Sequence, residues 1–224
     1  MKKNSTQRLV ESALLIAIGA VLEMVSKAMG LELPFGGTIT IASMFPVVLI
    51  AYRYGVKWGL LSGFTYSLVQ MLMGMKVVSA MFLPGDDQMA VWKAICVCLL
   101  DYVLAYTVLG LGGIFKGKFK KPALELALGV IVALAIRYLV HIISGAIFYG
   151  AWAEWFFTQE GFYSVGSKIL EHFSGTGLAV VYSIFYNGLY MVPEIIITTV
   201  VAIILGNVPQ ITGAKKQKNK TLDK

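Results

Sequence analysis

Six long apolar runs dominate the chain, divided by short charged or Pro/Gly-containing stretches. The first extends from Leu9 to about Ala28 and is interrupted by Glu11 and Glu23. A connector with Gly30, Pro34, Gly36 and Gly37 leads to a second run that ends near Tyr52. Its leading residues, Thr38 to Ile41, alternate like a strand, so the pattern predicts an irregular entry and a kink or late helix start at Pro46. The third run covers about Trp58 to Met75, with Tyr66 and Gln70 as polar members. The fourth, about Val91 to Phe115, holds Asp101, Tyr102 and Tyr106. The fifth extends from Ala123 to about Tyr149 and the sixth from about Thr176 to Leu205. At 1.5 Å of helical rise per residue, runs of this length suit a hydrocarbon core about 30 Å thick.

Composition agrees with that pattern. The chain is 58% hydrophobic and 14% charged, with a mean hydropathy of +0.76. Soluble domains lie nearer half apolar and a quarter charged. The predicted fold class is therefore all-α, a polytopic membrane protein of six transmembrane helices. Residues 9–205 form one transmembrane domain between a tail, 1–8, and a basic tail, 206–224. Basic residues ahead of an apolar run also fit a cleaved signal peptide. The first run is long and closes on no small-x-small site, which favours a retained span.

The net charge is +7, but the positives cluster beside the spans and not on a soluble basic face. Of 19 Lys and Arg, 14 lie in the N-terminal tail, the turn Arg53–Lys57, the loop Lys116–Pro122 and the C-terminal tail. Positive-inside orientation then places both termini in the cytoplasm and assigns no nucleic-acid partner. Cys96 and Cys98 point about 200° apart on a helix, so they form neither a disulfide with each other nor a metal site. The connector Ala151 to Gly175 is rich in aromatics and reads as an interfacial segment or lid.

Polar residues within the spans carry the chemistry, because ionisable groups are expensive in hydrocarbon and face protein or a wet cavity. Arg137, His141, Gly145 and Tyr149 recur every four residues, near one helix face. The alternating topology places the last three at the same outer-leaflet depth as Asp101 and Tyr102 of the fourth span and Tyr182 and Asn187 of the sixth. Asp101 accepts hydrogen bonds and offers negative charge, tyrosine rings stack, and Asn187 and His141 supply donors and acceptors. Gly145 leaves room for a planar ligand. A small, flat, polar aromatic molecule, neutral or cationic, fits such a set. Arg137 is expected to serve as a structural ion-pair partner of Glu194 or Asp101. In the first span, Ala13 and Ala17 form a small-xxx-small face for close helix approach.

Four stretches, PVVLIAYRYGVKWG from Pro46, DYVLAYTVLGLGGIF from Asp101, RYLVHIISGAIFYGA from Arg137 and YSIFYNGLYMVP from Tyr182, resemble the thiamine-specific substrate-binding subunits (S components) of energy-coupling factor transporters. The resemblance implies a six-helix bundle that binds thiamine from outside with high affinity. It also implies partners, a transmembrane coupling protein and two ATPase subunits, with Ala13 and Ala17 facing the coupling protein. Asp101 stands where the family usually has Glu, and Tyr102, His141, Gly145, Tyr182 and Asn187 match its ligand positions. Tyr149 stands at a stacking Trp, and a second stacking Trp falls near Gly37 without a counterpart. Trp92 or a tryptophan of the 151–175 connector are the possible substitutes. No G-x-x-x-x-G-K-[ST] loop is present, so the energy comes from elsewhere. No cofactor, metal or catalytic residue is expected. The alternatives are an S component for a thiamine precursor or another vitamin, and a membrane-embedded hydrolase built on His141 with Asp101 or Glu194.

Overall fold

The computed structural model describes residues 5–33 and 37–213. Lys2, Lys3, Pro34, Gly36 and the lysines of the C-terminal tail lie outside the described residues. Helix α1 (Ser5–Ala28) begins inside the expected N-terminal tail. It is followed by α2 (Phe45–Tyr54), α3 (Val56–Met73) and a short α4 (Met75–Ala80). The fourth span is one continuous rod, Val91–Gly113, of mixed character. It comprises α5 (Val91–Val97), a π-helical stretch Cys98–Leu104, α6 (Ala105–Thr107) and a 3-10 end, Val108–Gly113. Then come α7 (Pro122–Phe148), α8 (Ala153–Phe157), α9 (Tyr163–His172), α10 (Gly175–Gly206) and α11 (Pro209–Thr212). By length and composition, α1, the 91–113 rod, α7 and α10 are each able to cross a membrane. With the shorter α2 and α3 they make up the six apolar helical segments, and the chain is an all-α multi-pass membrane protein.

Helix α2 explains why the second run has an irregular entry. Pro46 lies in its first turn, where a missing N–H costs nothing. Ten residues rise only about 15 Å, half of a hydrocarbon core. Non-helical backbone completes the length, and its residues Thr38, Thr40, Ala42, Ser43 and Met44 are buried in protein, away from lipid. Its polar groups still need partners. The Glu194 carboxylate of α10 accepts the Thr40 N–H at 2.8 Å, and Ser26 Oγ of α1 accepts the Ile41 N–H at 2.9 Å. Ser43 Oγ donates to Glu23 at 2.9 Å. Glu194 and Glu23 therefore hold the irregular segment in place, the first through backbone and the second through a side-chain hydroxyl. Among the described residues the strand-like alternation forms no ladder, only one isolated antiparallel bridge between Glu32 and Thr38.

The main core joins α2 residues such as Val47 and Val48 to Tyr66, Leu109, Leu126, Leu134 and Met191. Helices α7 and α10 pack along much of their length. Gly145 makes this approach possible toward the Phe148 end of α7: a Cβ there would lie 2.3 Å from Ser183 Oγ. At the opposite, basic end, Arg53 pairs with Glu11 at 2.9 Å and the Arg8 guanidinium covers the Trp58 ring at 3.9 Å. The aromatic connector is folded. Phe156 and Phe157 of α8 and Ile169 of α9 form a second core with Leu178 and Tyr182 of α10. The start of the expected basic tail is also ordered, with Ile211 of α11 packed on the main core.

Candidate ligand-binding site

A cavity with an empty volume of about 970 Å³, its open mouth included, lies among α1, the irregular 37–44 segment, α3, the π-helical stretch, α7 and α10. All seven residues expected at a ligand site line it: Asp101, Tyr102, His141, Gly145, Tyr149, Tyr182 and Asn187. Asp101 and Tyr102 project from the π-helical stretch. Such widened turns are rare and recur at functional sites, because they re-aim side chains relative to an α-helix.

A hydrogen-bonded line crosses the cavity floor. Arg137 Nε donates to His141 Nε2 at 3.1 Å, which leaves the imidazole hydrogen on Nδ1. That nitrogen lies 2.9 Å from Asp101 Oδ1, and Ser144 Oγ donates to Asp101 Oδ2 at 2.7 Å. Arg137 is not the direct ion-pair partner expected from the sequence. Among the described residues it forms no salt bridge, and Glu194 is engaged by Thr40 and Thr198. His141 stands between the guanidinium and Asp101. The Tyr106 ring, 4.0 Å from the guanidinium carbon, supplies the face of its π-system, and Met44 sulfur is in contact with Nη1.

Asn187 has less spare capacity than its residue type suggests. Its amide donates to His141 O, Ser183 O and Ser183 Oγ, while its oxygen accepts from Tyr190 at 2.6 Å. Asn187 and Ser183 thus hold α10 against α7 at the level of His141. The space beside Gly145, expected to admit a flat ligand, is taken partly by Ser183.

None of the four tryptophans lines the cavity. Trp92 stands 60% exposed against Phe148, and Trp152 packs on Trp155 outside the site. Beside Gly37 the ring present is that of Tyr190, so close that a Cβ on Gly37 would lie 2.6 Å from it. Tyr190 and Tyr186 complete an aromatic wall with Tyr182, every fourth residue of α10, a spacing readable in the sequence as one helix face. Glu23, Lys27 and Gln70 also line the cavity. Their signal was that of any polar residue inside a span. Among the described residues, no group of three or more His, Cys, Asp or Glu is placed to hold a metal ion.

An all-helical multi-pass chain with one aromatic, partly charged cavity between its helices belongs to the class of membrane proteins that take up small polar molecules. Residues 9–165 match the family model described as thiamine transporter protein, Thia_YuaJ. The chain is 32% identical over 207 residues to the thiamine transporter ThiT of Bacillus subtilis strain 168, covering 88% of this chain and 89% of that protein. It is 23% identical over 224 residues to ThiT of Lacticaseibacillus paracasei, covering 94% and 92%. The solved structure of ThiT from Listeria monocytogenes has the same fold, with a TM-score of 0.63 at 22% identity over 92% of this chain and 97% of that one. The chain belongs to the thiamine transporter family, and is a membrane transport protein and not an enzyme.

Proposed function

We propose that this chain is the thiamine-binding S component of an energy-coupling factor transporter, and that the cavity is where thiamine binds from outside. The observation that carries the reading is the convergence of seven residues from three spans on one cavity, in a chain of the thiamine transporter family. Asp101 faces the ligand with negative charge and keeps lone pairs free beyond those used by His141 and Ser144. The rings of Tyr102, Tyr149 and Tyr182 provide stacking faces for the pyrimidine and thiazolium rings, both flat and one cationic. Asn187 acts chiefly by holding α10 to α7.

In this reading both termini are cytoplasmic, in line with the basic residues gathered at one end of the bundle. Ala13 and Ala17 are exposed on α1, as an interface for a transmembrane coupling protein requires. Two ATPase subunits of the same module then supply the energy. Calorimetric titration of the purified chain with thiamine tests the ligand. Absence of binding at micromolar thiamine, or tighter binding of the isolated aminopyrimidine precursor, would overturn the assignment. A reporter fused to the C-terminus tests the topology, and an extracellular signal would reverse it.

A further inference from the structure

Among the described residues, Gln70 and Thr38 of the cavity wall each have a buried polar atom without a hydrogen-bond partner. Gln70, on α3, is 3% exposed and lines the cavity, yet its Nε2 has no hydrogen-bond partner. Thr38, on the irregular segment, is 7% exposed, lines the same cavity, and its Oγ1 is equally unpartnered. Tyr66, one turn before Gln70, is near enough for a side-chain interaction with it, but the geometry falls short of a hydrogen bond to Nε2, and the Tyr66 hydroxyl is directed to Ser43 O at 3.4 Å. An amide nitrogen has two hydrogens to place.

Leaving a buried donor unsatisfied destabilises the folded chain. Elsewhere in this cavity polar groups are satisfied with some care: Asp101, His141 and Asn187 each have two or more protein partners. Gln70 and Thr38 are exceptions located on the cavity wall, where a bound molecule is able to satisfy them. None of the seven residues expected from the sequence lies on α3 or on the irregular segment. This pair therefore adds two walls to recognition.

We propose that Gln70 is a ligand-contacting, specificity-determining residue, whose amide donates to an uncharged acceptor on the bound molecule, a ring nitrogen or a hydroxyl oxygen, with Thr38 as a second polar contact. The inference rests on the thiamine-binding reading, and thiamine carries acceptors of both kinds. A site built to pair with such an acceptor discriminates strongly against analogues that lack it, because the amide is then left buried and unpaired.

Gln70→Met keeps the side chain's length and volume and removes the donor. For a ligand contact, two results are expected together. Thiamine affinity falls roughly 5- to 100-fold, the range of one buried hydrogen bond. The ligand-free protein melts at the same or a higher temperature, because an unsatisfied polar group has left the interior. A purely structural role gives the opposite pair, a lower melting temperature with affinity unchanged. That result, or unchanged affinity at any melting temperature, overturns the proposal, including the case in which Gln70 binds only an ordered water. Thr38→Val, which also keeps its shape, is expected to reduce affinity by less. The wild-type titration separates the two readings. Failure of wild-type protein to bind thiamine removes the ligand assignment and the Gln70 contact with it; wild-type binding with equal binding by Gln70→Met removes the contact alone.

Discussion

His141 Nδ1 lies 2.9 Å from Asp101 Oδ1, a hydrogen bond that ties α7 to the π-helical stretch and determines how charge is distributed on the cavity floor. On its other side the same ring accepts from Arg137. A fully buried cation and a partly exposed carboxylate are thus joined through a neutral imidazole. Asp101, and not Arg137, is the more exposed charged end. Asp101→Asn keeps the shape and the acceptor oxygen while removing the charge. Thiamine binding should weaken by about 2–4 kcal/mol, roughly 30- to 1,000-fold in Kd. Calorimetry on the membrane-inserted variant checks it, and unchanged affinity would remove Asp101 from the site.

Gly145 is a point of close approach between α7 and α10. A Cβ there would lie 2.3 Å from Ser183 Oγ and 3.1 Å from Asn187 Nδ2. Gly145→Ala should force the helices apart, with an overpacking cost of about 1–3 kcal/mol and weaker ligand binding. Ser183→Gly opens the space that the new methyl group needs. Adding it to Gly145→Ala should restore part of the lost melting temperature. If the double variant is no more stable than the sum of the single changes, the contact is not what makes glycine necessary.

The aromatic wall of the cavity is made of tyrosine. Trp58 lies under Arg8 at the basic end, and Trp92, Trp152 and Trp155 lie outside the cavity. Saturation with thiamine should therefore change tryptophan emission only slightly. Trp92→Phe and Trp155→Phe, at exposed positions, should each keep affinity within about twofold. Strong quenching of tryptophan emission that disappears in either variant would place that ring against the ligand.

The spans, the irregular entry to the second and all seven cavity residues were legible in the sequence, because hydropathy and helical spacing report depth and face directly. What escaped was whatever depends on neighbours. Glu23 looked like an interruption of an apolar run and Glu194 like the ion-pair partner of Arg137, and only the Ser43 hydroxyl and the backbone of Thr40 explain them. Arg137 needed a carboxylate by charge alone, but the position of His141 relays that contact. The π-helical stretch carries no composition signal, since it changes the hydrogen-bond register and not the pattern of apolar residues. Gly145 was read correctly as a place lacking a side chain, although the space serves the neighbouring helix. The stacking ring missing near Gly37 was sought among tryptophans, whereas Tyr190 fills that space from a helix 153 positions away in sequence.

Ala13 and Ala17 lie on the exposed side of α1, between Glu11, which is tied to Arg53, and Gly19, which packs on Ser43 and Tyr66. The inward side of this helix is thus fixed to the bundle while its small residues face outward. Ala13→Trp adds bulk only to the outward side, far along α1 from the cavity-lining Glu23 and Lys27. Thiamine binding by the isolated chain should stay within about twofold. Uptake by cells carrying the complete transporter should fall by more than about tenfold, because a large ring prevents close helix approach. Affinity purification from those cells should recover correspondingly less of the partner subunits. Uptake retained at the wild-type rate would show that the partner meets a different face.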